Sequence, residues 1–146
     1  MDDYEEEIDD GLEKEVRILL KRVGLKPKEL IIPNTLRDKQ ELVHGMIENV
    51  YLKDLDVDLI CNEEGKLENM SPNLTLFCDY IAGDCFFIGD DIEHAGYKSL
   101  TDEDIEKIKV FIKQREFQYT SDSLKEMYEN EFNEEELKEL IEGDER

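Results

Sequence analysis

Residues 62–91 read NEEGKLENMSPNLTLFCDYIAGDCFFIGDD, and this stretch holds most of the strand signal in the chain. Apolar runs near 75–81 and 85–89 are separated by a glycine, a residue that favours turns between strands. Gly83-Asp84 lies between these two runs, so we expect a hairpin at that point. The stretch therefore predicts the centre of a small antiparallel sheet.

The segment before this stretch alternates between apolar and acidic side chains. Near residues 55–61 the apolar positions are Leu55, Val57 and Leu59, and the acidic positions are Asp54, Asp56 and Asp58. A period of two is typical of a half-buried strand. We therefore expect these three aspartates together on the face of the strand that points away from the core. A further strand is predicted near 29–32, before Pro33.

Helical spacing of apolar residues occurs both before and after the predicted sheet. Before it, the pattern predicts an acidic N-terminal helix near 10–23 and a second helix near 36–50. After it, capping-box patterns at Thr101-x-x-Asp104, Ser123-x-x-Glu126 and Asn133-x-x-Glu136 open further helices. These later helices are expected near 102–118, 123–132 and 134–142.

These elements predict an α+β fold in a single domain over residues 1–146. Its parts would be an acidic N-terminal helix at 1–25, an α+β core at 26–118 and acidic C-terminal helices at 119–146. The helices near 36–50 and 102–118 are expected to cover one face of the antiparallel sheet. The terminal helices would extend the body.

Charge is the most unusual property of the composition. The chain has 40 acidic against 18 basic residues, a formal net charge of −22, whereas a small domain needs only about 2–8 charges for solubility. Such a charge repels nucleic acids and anionic membranes and attracts basic surfaces. No apolar run approaches the roughly 18 residues of a membrane span, and residues 1–10 are mostly acidic, so we expect neither a membrane span nor an apolar leader. With three cysteines, an odd number, we expect a cytoplasmic protein with reduced thiols.

The usual signatures of catalysis and of cofactor binding are missing from the sequence. There is no Cys-x-x-Cys pair for zinc, no EF-hand spacing and no glycine-rich phosphate loop. Cys78 and Cys85 are expected on paired strands as small hydrophobic residues, and burial would disfavour a reactive thiolate. We therefore expect a protein that is not an enzyme, with no cofactor and no metal. A small metal-dependent enzyme is an alternative.

Six short motifs in and around the central stretch carry a family resemblance: Gly45-Met-Ile-Glu48, Asn62-Glu-Glu-Gly-Lys66, Pro72-Asn73, Ile81-Ala-Gly83, Phe87-Ile-Gly-Asp90 and Ser99-Leu-Thr-Asp102. Together they resemble a domain family of unknown function over about residues 28–112. Its members are encoded by phages and conjugative elements of Gram-positive bacteria. The resemblance implies a mobile genetic element, a setting in which short acidic proteins often counteract host defence.

Acidic clusters are the candidate partner-binding residues. They are Asp2, Asp3, Glu5, Glu6, Glu7, Asp54, Asp56, Asp58, Asp90, Asp91, Glu131, Glu134, Glu135 and Glu136. Duplex DNA carries one negative charge per roughly 1.7 Å of its axis, and carboxylates spread over a folded surface would present a similar density. The expected partner is the basic surface of a nucleic-acid-binding protein, with a Cas nuclease first and a restriction nuclease second. The alternative for any single cluster is a solvent-exposed surface that binds no partner.

A different class of function is a protein-interaction module of a plasmid or phage. Such a module would bind its partner through apolar contacts rather than through charge. The candidate residues for this patch are Phe111, Phe117, Tyr119, Tyr128 and Phe132.

Overall fold

Strands and helices follow one another along the chain in the computed structural model, which describes residues 11–142. The strands are β1 (Glu15–Lys21), β2 (Lys28–Pro33), β3 (Ile47–Leu52), β4 (Val57–Asn62), β5 (Pro72–Leu76), β6 (Asp79–Ala82), β7 (Cys85–Asp91) and β8 (Gly96–Lys98). The helices are α1 (Leu36–Val43), α2 (Asp102–Arg115), α3 (Ser121–Tyr128) and α4 (Glu134–Glu142). The fold is α+β, as expected.

A six-stranded sheet forms the body of the fold. Five of its strands lie in the order β2-β1-β7-β4-β3, and β8 pairs with the far end of β7. Every pairing in it is antiparallel. Strands β5 and β6 form a separate two-stranded sheet. The prediction of an antiparallel sheet is confirmed.

Both faces of the central strands are buried, so the sheet needs cover on each side. On one face Leu59 and Phe87 pack against Ile105, Ile108 and other residues of α2. On the opposite face Ile60, Phe86 and Ile88 pack with Val43 of α1. The prediction that both helices cover one face is therefore wrong. The cause is the continuous burial of β4 and of residues 85–89 of β7, which leaves no solvent-facing side at the centre.

The predicted N-terminal helix near 10–23 is wrong within the described residues. Glu15–Lys21 is a strand, with Val16 and Ile18 buried on one face and Leu19 and Lys21 on the other. A strand buried on both faces shows near-continuous apolar residues. That run also satisfies helical spacing, which explains the error.

The helix expected near 36–50 ends early. It stops at Val43, because His44 adopts a left-handed conformation with φ of 65° and caps the helix. The chain then turns through Gly45 and continues as the edge strand β3. Two elements thus replace the single helix that was predicted.

The hairpin predicted at Gly83-Asp84 is also wrong. Strands β6 and β7 belong to different sheets, and the hairpin joins β5 to β6 across Phe77-Cys78. The apolar run near 75–81 is therefore two strands with a tight turn inside it. The sequence gives little sign of this turn. Phe77 has a positive φ of 56°, a conformation that glycine or asparagine normally adopts in such turns.

The C-terminal helices pack on the loop between β1 and β2. Leu25 of that loop is buried against Leu124, Tyr128 and Leu137, and the Tyr128 hydroxyl donates a hydrogen bond to the carbonyl of Val23 at 2.5 Å. Helix α3 begins after the cap Thr120, three residues before the predicted cap Ser123. The capping boxes at Thr101 and Asn133 are confirmed.

Candidate acidic interface

Two acidic segments that are far apart in sequence meet at one end of the sheet. In β4, Asp58 lies opposite Tyr51 of β3 and opposite Ile88 of β7. Two residues further along β7, Asp90 pairs with Tyr97 of β8. Side chains two positions apart share a face of a strand. Asp58 and Asp90 are thus neighbours on the face of the sheet that α1 covers. They lie just beyond the buried apolar residues of that face.

Asp58 is the buried centre of this cluster. The residue is 3% exposed, and its Oδ1 atom has no hydrogen-bond partner among the described residues. Burial raises the pKa of Asp58 to about 6, a hydrogen bond from Asn49 acts to lower it, and the charges of Asp90 and Asp56 raise it. The carboxyl group therefore titrates close to neutral pH.

Two tyrosines border the acidic cluster. The Tyr51 hydroxyl donates a hydrogen bond to Asp56 Oδ1 at 2.5 Å, and the Tyr97 hydroxyl donates one to Asn49 Oδ1 at 2.7 Å. The pKa of Tyr51 is raised by its bond to Asp56, with smaller contributions from burial and from the nearby aspartates. This rim can offer both carboxylates and aromatic rings to a basic partner.

The remaining two aspartates of these segments have different surroundings. Asp54 is exposed in the turn between β3 and β4, and Asp56 follows it in that turn with a φ of 55°. The expectation that Asp54, Asp56 and Asp58 share one exposed strand face is wrong, because β4 starts only at Val57 and Asp58 is buried.

Asp91 bonds within its own turn. Its Oδ2 lies 3.0 Å from Nδ1 of His94. Burial acts to raise the pKa of Asp91, but the hydrogen bonds from His94 outweigh it and the pKa is lowered. Asp91 therefore contributes less unpaired negative charge than Asp90.

The C-terminal candidates stabilise the fold rather than join this cluster. Glu131 accepts two hydrogen bonds from Arg22, at 2.6 and 2.8 Å, so its charge is balanced. Glu136 accepts a hydrogen bond from the backbone of Asn133 and caps α4, where Glu134 and Glu135 complete the first turn. Arg22 also contacts Asp84, which precedes β7. Asp84 and Asp90 are therefore about 20 Å apart along β7.

The N-terminal candidates lie outside the described residues. They are Asp2, Asp3, Glu5, Glu6 and Glu7. Their part in any interface stays a prediction.

Comparison with protein-family models matches residues 16–113 to a domain of unknown function, DUF3846. This chain belongs to the DUF3846 family. The match extends the expected resemblance, near 28–112, to include β1 from Val16 onward. It contains Asp54, Asp56, Asp58 and Asp90, and it ends before α3 begins. Comparisons with curated proteins and with solved structures found no match.

Sequence reasoning missed several polar residues of this DUF3846 chain. Asn49 and Tyr51 border the acidic cluster, but Asn49 falls within the helix predicted near 36–50 and Tyr51 directly follows it. Arg22, His44 and Asp84 meet at the other end of the sheet, with His44 Nε2 and Arg22 Nε both near Asp84 Oδ2, at 3.0 and 3.1 Å. Only Gly83-Asp84 was noticed in the sequence, as a turn.

Two of the three cysteines are buried, which disfavours a reactive thiolate, and the third is exposed. Burial raises the pKa of Cys61 to about 12, and burial also raises the pKa of Cys85. Cys78 lies exposed in the turn between β5 and β6 rather than on a paired strand as expected. Within residues 11–142 no group of three or more His, Cys, Asp or Glu side chains is arranged to hold a metal ion.

Among the described residues, no helix is both long and apolar enough to span a bilayer.

Proposed function

We propose that this protein is a non-enzymatic inhibitor that occupies the basic, nucleic-acid-binding groove of a partner protein through its acidic surface. The contact surface, here called the acidic face, consists of Asp54, Asp56 and Asp90 around the buried Asp58. In the sharpest version the partner is a bacterial defence nuclease in the host cytoplasm, and the protein acts as an anti-CRISPR inhibitor. An anti-restriction DNA mimic is the closest alternative.

The observation that carries this proposal is the meeting of two acidic segments at one end of the sheet. Asp90 and Asp56 are close enough to Asp58 to raise its pKa, so the carboxylates repel one another in the free protein. Lysine or arginine side chains of a groove would relieve that repulsion when they bind. Gathering like charges costs stability, which favours a role in binding.

Occlusion of the groove requires no turnover. Unlike charges steer the two proteins together, and the partner releases the counterions that its own basic residues held. At physiological salt the Debye length is about 8 Å, so only charges near the contact contribute strongly. The acidic face therefore matters more than the total charge of −22.

The choice of a defence nuclease rests on the setting that the family resemblance implies. Phages and conjugative elements meet Cas and restriction nucleases when they enter a cell. The two versions of the proposal differ in which nuclease is bound, and a panel that contains both kinds distinguishes them.

A capture experiment with matched variants tests the proposal. The tagged protein is mixed with a panel of purified Cas and restriction nucleases, washed at low salt and then challenged with duplex DNA. One variant removes three charges from the acidic face by Asp54→Asn, Asp56→Asn and Asp90→Asn. The control removes three exposed charges from the loop before β5 by Glu63→Gln, Glu64→Gln and Glu68→Gln.

We expect the wild type and the control to capture a nuclease that DNA displaces, and the acidic-face variant to lose at least tenfold in affinity. Capture that both triple variants retain equally would refute the acidic face as the contact. Capture of a nuclease that still holds its DNA would keep inhibition but reject occlusion of the groove.

One observation favours an interaction module as a second candidate. The aromatic residues first considered for its patch are used in packing: Phe111 contacts Phe87, and Tyr128 is buried. However, Phe77 at the tip of the β5–β6 hairpin is 87% exposed at a positive φ. A bulky residue in that conformation is strained, so an apolar contact would explain its presence.

The two candidates respond differently to substitution. If Phe77 is the contact, Phe77→Gly abolishes capture of the partner while the acidic-face variant binds normally. If the acidic face is the contact, the opposite pattern is expected.

A further inference from the structure

The strand order β2-β1-β7-β4-β3 ends in two edge strands, and these differ in how well they are protected. An edge strand presents backbone N–H and C=O groups without a partner strand, and proteins usually block such edges with charged residues, proline or bulges. Among the described residues β3 pairs with β4 alone. The outer side of β3 is therefore open.

The register of β3 shows which of its backbone groups point outward. The amide of Glu63 donates a hydrogen bond to the carbonyl of Met46 at 2.8 Å, one step before the first paired residue of β3. Met46 and Glu63 therefore form a hydrogen-bonded pair, and such pairs alternate along an antiparallel ladder. By this alternation, the residues whose N–H and C=O groups face the open side are Ile47, Asn49 and Tyr51.

Strand β2 is blocked at its corresponding positions. The amide of Asn34 donates a hydrogen bond to the carbonyl of Lys14, so the outward positions of β2 are Glu29, Ile31 and Pro33. Glu29 is charged, and a proline has no N–H to offer to another strand. The three outward residues of β3 include neither a charge nor a proline, and its pairing with β4 has no register shift. Of these two edges, β3 is therefore the one to which another strand can add.

The outward residues of β3 lie on the same side of the sheet as the acidic face. Tyr51 is paired with Asp58, and paired residues place their side chains on one side. Asn49, two positions away, shares that side. In an antiparallel strand added to β3, the residues that bond to Asn49 and Tyr51 place their side chains there too. They would meet Tyr51, which is 46% exposed and bonds Asp56 through its hydroxyl.

We propose that the partner protein adds one β-strand to β3, antiparallel to it, with arginine at every second position. This inference rests on the proposed function of the acidic face and names the element of the partner that contacts it. Backbone hydrogen bonds would hold the strand. Its arginines would stack on the ring of Tyr51 and bond the carboxylate of Asp56.

A second copy of this chain fits the open edge less well than a basic strand does. Pairing two β3 strands across a two-fold axis would bring two acidic faces side by side, and their like charges would repel. A strand that carries arginines meets the opposite situation, because each basic side chain balances part of the negative charge of the acidic face.

Three peptides test the proposal by isothermal titration of the full chain in 0.15 M NaCl. In the parent peptide four arginines alternate with three valines. The second peptide has N-methyl groups on two arginine nitrogens, and the third has them on two valine nitrogens. All three have the same charge, but in the proposed pairing only the arginine N–H groups point at β3. We expect methylation at arginine to weaken binding at least tenfold and methylation at valine less than threefold.

Matched variants assign the peptide to the edge of β3. Asn49→Pro removes one outward N–H and leaves the ladder to β4 intact, because that N–H takes no part in it. Asn49→Thr loses the same side-chain contacts but keeps the N–H. The parent peptide should bind Asn49→Pro at least tenfold more weakly than Asn49→Thr. Circular dichroism checks that both variants are folded, and the peptide series tests the proposal without any variant.

Equal binding of all three peptides would show attraction by charge alone and would overturn the added strand. Wild type that dimerises in sedimentation while Asn49→Pro stays monomeric would assign the edge to a second copy, with the same consequence. Neither result touches the proposed occlusion, because capture of a nuclease and its release by DNA require no added strand. Conversely, peptide binding in the expected order without capture of any nuclease would keep the strand and reject the nuclease.

Discussion

Asp58 shows how a single buried carboxylate links stability to pH. In the folded protein its pKa is raised to about 6 from an ordinary value of 3.8. The folded state therefore binds the proton more tightly than the unfolded state. The contribution of this group to the free energy of unfolding is fully present below the pKa that it has in the unfolded chain. That contribution is lost as the pH rises through about 6.

The substitution Asp58→Asn should consequently stabilise the protein, and more so at high pH. Relative to wild type, we expect its advantage in the free energy of unfolding to grow by about 1 kcal/mol between pH 5 and pH 8. Urea unfolding at both pH values measures this difference. Asp54→Asn, in the exposed turn, is the control and should show no such growth. A pH-independent difference for Asp58→Asn would contradict the raised pKa.

Gly24 is a position where both the backbone conformation and the close packing require glycine. Its φ is 75°, and a Cβ atom there would collide with Leu124 of α3. We expect Gly24→Ala to lower the free energy of unfolding by about 1–3 kcal/mol, from backbone strain and overpacking. Chemical denaturation measures the loss.

Leu124→Ala supplies the control for Gly24. In the double variant the collision is removed but the backbone strain remains. The combined loss should therefore be smaller than the sum of the two single losses. Strict additivity would mean that the collision does not occur.

At the scale of elements, Arg22 connects the sheet to the C-terminal helices. Its guanidinium bonds Asp84 and Glu131 and lies over the Tyr128 ring at 5.1 Å. Asp84 is 8% exposed, so removing its arginine leaves a buried carboxylate with less compensation. Breaking a buried pair costs more than breaking an exposed one.

Arg22→Met should therefore destabilise the protein by about 2–3 kcal/mol, whereas Glu131→Gln should cost only about 1 kcal/mol or less. Adding Asp84→Asn to Arg22→Met should recover part of the loss. Urea unfolding of wild type, Arg22→Met, Asp84→Asn and the double variant gives a double-mutant cycle, and Glu131→Gln is measured beside it. Equal losses for Arg22→Met and Glu131→Gln would contradict this ranking.

The elements also show what the sequence could and could not predict. The helices at 102–115 and 134–142 were predicted because their N-terminal caps, Thr101 and Asn133, belong to recognisable local sequence patterns. The strand Glu15–Lys21 was missed because it is buried on both faces, which removes the alternation on which strand prediction depends. Burial on both faces is decided by distant elements.

The same distinction applies to the candidate site. Asp56, Asp58 and Asp90 were singled out from the sequence, but their meeting depends on the pairing of β4 with β7. The hairpin expected at Gly83-Asp84 would have placed Asp90 next to the wrong strand. Asn49 and Tyr51 were missed because the left-handed conformation that ends α1 is taken by His44 and not by the neighbouring Gly45.

At the scale of the whole molecule, a net charge of −22 opposes the compact state. Added salt screens this repulsion. Raising NaCl from 0.05 to 0.5 M should therefore raise the melting temperature at pH 8, where the carboxylates are ionised. Near the isoelectric point, about pH 4.3, the effect of salt should be much smaller. A melting temperature that falls with salt at pH 8 would show that attractive ion pairs outweigh the repulsion.

The same screening decides whether charge drives the proposed inhibition. The most direct measurement is the affinity of the protein for the captured nuclease as NaCl rises from 0.05 to 0.5 M. Wild type, the acidic-face variant and the matched loop variant are compared. We predict a steep fall in affinity for wild type and the loop variant, and a distinctly shallower fall for the acidic-face variant. An affinity that stays constant with salt in all three proteins would contradict mimicry by the acidic face.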